Sequence, residues 1–227
     1  MFFYLNFSSG HLEISKAILG NDFSNKESLL FTIVLHFATA LSTIVFFRKD
    51  ISEIILGLFD KKNKESSKFS ISIIISMIPA VLIGLFFEET INSFFNGNLL
   101  LVAAMLYVTS VLLYLSDVIK LDKKEISYKN SFIIGLAQAI AILPGISRSG
   151  ATIATAVVIG IDREKAARFS FIMVIPLIFG SMAKSIIDNG IIFENFNLLS
   201  VLLGFISAFI FLILNRDLIN HLILFTT

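Results

Sequence analysis

A chain of 227 residues that is 56% hydrophobic and only 15% charged, with a mean hydropathy of +0.88, is too apolar for a soluble domain and reads as a polytopic membrane protein. Its formal net charge of +1 gives no electrostatic case for a nucleic-acid partner. Having no cysteine, it can form no disulfide, thiolate nucleophile or cysteine-ligated metal site.

Tryptophan is absent and phenylalanine is abundant, at 24 residues, which suits a lipid-facing surface. No basic segment precedes the first apolar residues, so membrane insertion is expected to use the internal helices. A small polar cluster, Ser8-Ser9-Gly10-His11, comes first. Apolar runs at 29–47, 69–87, 99–115, 169–187 and 198–214 then read as five spans, the first carrying no formal charge. Pro79 and Pro176 fall inside two of them and are expected to kink them. His36, within the first span, reads as a packing or helix–helix residue. Thr39, Ser42, Thr43, Ser76, Thr109 and Ser110 are expected to bond back onto their own helices. Glu88-Glu89 reads as a solvated rim.

Lysine and arginine are distributed unevenly between the loops. The segment 48–68 holds six, 117–130 holds four and 162–168 holds three, while 88–98 and 188–197 hold none. The positive-inside rule makes the first group cytoplasmic and the second external. Both ends of the intervening 132–161 stretch then face the cytoplasm, so this stretch cannot cross the bilayer once.

That stretch is broken in its middle by Leu143-Pro144-Gly145-Ile146-Ser147-Arg148-Ser149-Gly150-Ala151-Thr152. Each apolar flank is about 10 to 12 residues, roughly 15–18 Å as helix, against a hydrocarbon core of roughly 30 Å. Two short helices that enter the membrane and return satisfy both the charge count and the lengths. Pro144 and Gly145 end the first helix, and the second begins near Gly150. A membrane-buried arginine requires a counter-charge, and the hairpin contains no Asp or Glu. A guanidinium with neighbouring hydroxyls at a helix N-terminus fits phosphate or diphosphate. The competing reading has Arg148 snorkelling or bonding the carbonyls of a broken helix.

The halves also show a faint repeat. Ser8-Ser9-Gly10-His11 lies over Arg148-Ser149-Gly150-Ala151, and 31–38 lies over 171–178, with the two spans running in opposite senses. This pattern predicts an all-α integral membrane protein with an inverted-topology repeat and re-entrant helix hairpins. The whole of 1–227 forms one domain, with repeat 1 at about 1–117, repeat 2 at about 131–227 and the basic loop 117–130 between them.

The 143–152 segment resembles the PGxSRSxxT signature of the undecaprenyl-diphosphate phosphatases, the BacA-type family associated with bacitracin resistance. Ser8-Ser9-Gly10-His11 is similar to the first-repeat motif of that family, and the likeness runs over about residues 8–214. It implies a hydrolase of the bacterial cytoplasmic (inner) membrane, multi-pass, that converts undecaprenyl diphosphate to the monophosphate carrier of peptidoglycan synthesis. It further implies two hairpins meeting near the midplane and activity aided by a divalent cation, Mg2+ or Ca2+. A polyprenyl diphosphate substrate and membrane lipid are the implied partners, and assembly as a homodimer is compatible with the resemblance.

Carried over residue by residue, Arg148 clamps the diphosphate, and Ser147, Ser149 and Thr152 bond its oxygens, with Gly150 in the same turn. His11 serves as acid/base or nucleophile, Ser8 as nucleophile or ligand, Ser9 as a further ligand, and Gln138 lines the second hairpin.

The family pattern also places an E-x-x-x-E pair before the serine cluster. Its second glutamate would fall at Phe2 and its first before Met1, and the preceding proline is Leu5. No metal ligand is therefore identifiable, and the chain reads as a member shortened at both ends, with weak or no hydrolysis expected. The alternative is a non-catalytic polyprenyl-phosphate binder or transporter, or an inactive truncated member. Broken helices in inverted repeats are equally a transporter pattern.

Overall fold

A computed structural model describes residues 25–59, 64–94, 99–119, 124–189 and 198–214. These residues form helices in the order α1 (Asn25–Phe46), α2 (Arg48–Phe59), α3 (Lys64–Phe86), α4 (Glu88–Phe94), α5 (Leu99–Val118), α6 (Tyr128–Ile140), α7 (Arg148–Val158), α8 (Arg163–Asn189) and α9 (Leu198–Leu214). Three stretches are long and apolar enough to cross a membrane: Glu65–Phe86 in α3, Leu99–Val118 in α5 and Arg163–Lys184 in α8. At 1.5 Å per residue, their 20 to 22 residues reach about 30 Å, the thickness of a hydrocarbon core. Shorter apolar stretches lie in α1 (Val34–Phe46) and α9 (Val201–Ile210). The protein is an all-α membrane protein.

Several hydroxyls within these helices are satisfied locally, since lipid offers them no partner. Thr39 donates to His36 O, Ser42 and Thr43 donate to Thr39 O, and Ser76 donates to Ile73 O. Helices α3 and α8 continue through Pro79 and Pro176.

The core forms where α3, α6, α7 and α8 meet, around Ile73, Ile134, Val157, Ile161, Phe169 and Met173. Phe69 of α3 meets Phe169 of α8 edge to face, with ring centroids 5.6 Å apart. Helices α3 and α6 approach backbone to backbone at Gly135. A Cβ there would lie 2.3 Å from the carbonyl oxygen of Ser76, so only glycine admits this crossing. By contrast α5 shows most of its surface to the outside, with Leu100, Tyr107, Leu115 and Val118 exposed, as an apolar helix facing lipid would.

The 132–161 stretch forms two short helices, α6 of 13 residues and α7 of 11. At about 20 and 17 Å, neither spans a bilayer. Their outer ends lie side by side: Lys124 N–H donates to Gly160 O at 2.9 Å, in a parallel bridge between Lys124 and Ile161. Arg163 reaches Asp117 at 3.0 Å and the carbonyl of Ser116 at 3.0 Å, and Lys165 pairs with Glu125. The stretch thus leaves and returns at one place. The first hairpin of the expected repeat falls on residues 1–24, outside the described residues.

Candidate anion site at the hairpin tip

The turn between α6 and α7 is shaped by Pro144 and Gly145. Pro144 is fully buried, and Gly145 takes a φ of 97°, a conformation costly for any residue with a side chain. A Cβ at Gly145 would also sit 2.5 Å from the carbonyl oxygen of Val102, so the turn packs directly on the backbone of α5. Ser147 then caps α7: its backbone is extended (φ −70°, ψ 114°) and its Oγ accepts from Gly150 N–H at 3.2 Å. A hydroxyl that accepts in this way retains a hydrogen to donate. At Gly150 a Cβ would come within 3.1 Å of the Ser147 Oγ and 3.3 Å of Thr109 Cγ2, so glycine keeps this first turn tight.

Arg148 is the first residue of α7. It makes no ion pair among the described residues, and its Nε is buried without a hydrogen-bond partner among them. Gln138, in the last turn of α6, is 0% exposed, and both of its amide atoms lack a partner among the described residues. Buried polar atoms in this state cost stability, and they concentrate where a water or ligand completes the bonding. The unpaired N–H groups and dipole at a helix N-terminus add positive potential beside the guanidinium.

Of the residues expected in the site, Ser147, Arg148, Ser149, Gly150 and Thr152 share the start of α7, and Gln138 ends the facing helix. The hydroxyl of Thr152 is committed to the protein. It donates to Arg148 O at 2.9 Å, with Ser149 O at 3.2 Å, and shares a short buried bond with Ser170 of α8. Ser8, Ser9 and His11 lie outside the described residues. Two residues of the surround were not read as part of the site, although Thr109 was expected to bond back onto its own helix. One is Ser170, and the other is Thr109, whose Oγ1 accepts from Ser147 N–H at 3.3 Å. Each lies in an apolar run, with no spacing that marks it for the site.

No group of three or more His, Asp or Glu that could hold a metal occurs among the described residues. The described part of the site offers a guanidinium, hydroxyls and an amide, a donor set for an anion rather than a cation.

Fold and site together define an all-helical membrane protein in which a hairpin of two short helices presents a half-buried arginine, without an acidic partner among the described residues, at a helix N-terminus. The profile described as bacitracin resistance protein BacA matches residues 7–223, and the chain belongs to that family. Curated relatives carry the name undecaprenyl-diphosphatase. The chain is similar to that of Christiangramia forsetii, at 56% identity over 203 residues, covering 89% of this chain and 77% of the relative. It is also similar to that of Bacteroides fragilis, at 45% identity over 207 residues with the same two coverages, 89% and 77%. An archaeal relative from Methanococcus vannielii is 38% identical over 226 residues, covering 96% of this chain and 84% of its own.

Proposed function

We propose that this protein hydrolyses undecaprenyl diphosphate to undecaprenyl phosphate and inorganic phosphate, as a multi-pass protein of the bacterial cytoplasmic membrane. It would thereby return the lipid carrier to peptidoglycan synthesis and confer bacitracin resistance. The observation that carries the reading is Arg148, half-buried at the N-terminus of α7 with a buried Nε and no acidic partner among the described residues. The names of the relatives agree with it.

In this reading the guanidinium fork binds the diphosphate oxygens and balances the charge that gathers on undecaprenyl phosphate, the leaving group, as the bridging P–O bond breaks and the terminal phosphoryl group passes to water, directly or by way of a nucleophile that water then releases. Ser147 and Ser149 donate hydroxyls to the same oxygens, and Gly150 lets the substrate approach the backbone. Gln138 fills its empty amide valences on the substrate or on a water beside it. Thr152 braces the turn from behind. His11 acts as acid/base or nucleophile, with Ser8 and Ser9 beside it, from the polar cluster near the start of the chain. The polyprenyl tail stays among membrane lipids.

The family resemblance also implies Mg2+ or Ca2+. The described residues around Arg148 carry no carboxylate set to hold such an ion, so no step above passes through it.

The test is phosphate release from farnesyl or undecaprenyl diphosphate by the purified chain in detergent, with Arg148→Ala as control. Release that depends on Arg148 supports the hydrolase. Diphosphate binding without release would favour a carrier instead.

A further inference from the structure

The peptide groups on either side of Arg148 are linked to two different spans, one directly and one through Thr152 of its own helix. On one side, Ser147 N–H donates to Thr109 Oγ1 of α5 at 3.3 Å, while Thr109 donates its own hydrogen to Met105 O at 3.0 Å. On the other, the Arg148 carbonyl accepts from Thr152 Oγ1 at 2.9 Å, and Thr152 bonds in turn to Ser170 of α8. Thr109 is 5% exposed and Ser170 3%, so neither reaches bulk water. Thr152 and Ser170 share one hydroxyl–hydroxyl bond, in which either oxygen can donate. Helix α7 packs between α5 and α8, which makes these bonds lateral ties on a helix that ends inside the protein.

We propose that Thr109 and Ser170 are positioning residues, a pair of hydroxyl ties that set where the Arg148 guanidinium meets the substrate diphosphate. Neither belongs to the signature segment. Arginine has a long, flexible side chain, and its fork binds two oxygens only when its base is fixed. With the backbone before and after Arg148 anchored to separate spans, the first turn of α7 cannot slide or rotate independently of α5 and α8. The hydrolytic part of this proposal rests on the function given above; the mechanical part does not.

Thr109→Val and Ser170→Ala each remove one tie while keeping the local shape, and Thr109→Ser and Ser170→Thr keep the hydroxyl. For farnesyl diphosphate hydrolysis, Thr109→Val and Ser170→Ala are each expected to lower kcat about tenfold with KM within about threefold, because misaimed positioning slows the step more than it weakens binding. The hydroxyl-keeping variants are expected to recover kcat to within about twofold of the parent. If Ser170→Ala does not accumulate, Thr152→Val breaks the same tie from the other side. Parent-like kcat in the tie-less variants, or a loss confined to KM, overturns the proposal while Arg148→Ala remains inactive. No phosphate release by the parent overturns the function instead, and full activity in Arg148→Ala overturns the part given to Arg148; in either case a second readout decides the ties. Because the chain has no cysteine, Arg148→Cys carries a unique thiol, whose reaction with a small methanethiosulfonate reagent reports local opening. Adding Thr109→Val or Ser170→Ala is expected to speed that reaction about fivefold. An unchanged rate overturns the proposal.

Discussion

The two ends of the α6–α7 hairpin treat arginine in opposite ways. At the base, Arg163 pairs with Asp117 at 3.0 Å, and Arg168 pairs with Asp50 at 2.6 Å and approaches Glu53 at 3.7 Å. Arg168 also lies over the Phe69 ring, 5.4 Å from its centroid. At the tip, Arg148 has no acidic partner among the described residues; the Nε atoms of all three arginines are buried without a hydrogen bond, so the acidic partner is the difference. Partly exposed ion pairs like those at the base contribute about 0–1 kcal/mol each. A charge without a partner in a membrane costs several kcal/mol or more. The base arginines therefore fasten the hairpin ends, while the tip arginine is kept at a cost to stability that a bound anion would offset.

Replacing the tip arginine should separate stability from activity more sharply than any other change. Arg148→Ala is expected to reduce phosphate release by about a thousandfold or more, the loss of a charge-assisted clamp at the reacting group. Arg148→Met should leave the protein equally inactive and raise its Tm in detergent, because it removes a half-buried charge without an acidic partner among the described residues. A lower Tm for Arg148→Met would mean that the arginine is structural, and the contrast with the base would collapse.

Next in size come the glycines that bring the hairpin into place. Gly135→Ala and Gly145→Ala are each expected to cost about 1–3 kcal/mol, read as a lower Tm, since their new methyl groups strike the backbone at Ser76 and Val102. Gly145→Ala adds the strain of its positive φ and should lower activity as well.

A smaller and two-signed effect is expected at Gln138. Gln138→Leu keeps the size and removes two orphaned polar atoms, so thermal stability should hold or rise by about 1 kcal/mol while pyrophosphate affinity falls. Calorimetric titration of the variant with pyrophosphate checks the second half; unchanged affinity would exclude Gln138 from the site.

The smallest effect belongs to the base. Arg163→Gln is expected to lower stability by no more than about 1 kcal/mol, with kcat unchanged. A large loss of activity there would show that the base transmits strain to the tip.

Much of this arrangement was legible from residue order. The Pro144-Gly145 break, the shortness of its flanks and the lysines on both sides required a stretch that returns to its starting side, and the Lys124–Ile161 bridge joins its two ends. The hydroxyls of Thr39, Ser42, Thr43, Ser76 and Thr109 bond back onto their helices as expected, because an isolated hydroxyl in an apolar helix has the preceding turn as its nearest acceptor. Ser147, Arg148, Ser149, Gly150 and Thr152 fall together because they are neighbours in one helical turn.

The remainder depended on which helices pack together. Sequence spacing gave Thr109 one bond, to Met105, but not its second, to Ser147 N–H, which exists only because the turn rests on α5. Likewise Thr152 reads as a ligand in the signature segment, and only the approach of α8 reveals that Ser170 takes up its remaining bonding capacity.

By itself, then, the sequence determined the membrane class, the hairpin and the lone arginine at its tip, because hydropathy, charge placement and helix breakers act over a few neighbouring residues. Tertiary structure alone decided that Gly135 must be a glycine, that Arg163 and Arg168 have acidic partners while Arg148 has none among the described residues, and that Thr109 and Ser170 bond to Ser147 and Thr152. Those outcomes depend on contacts between residues far apart in the chain, where a shift of an ångström separates a hydrogen bond from a clash.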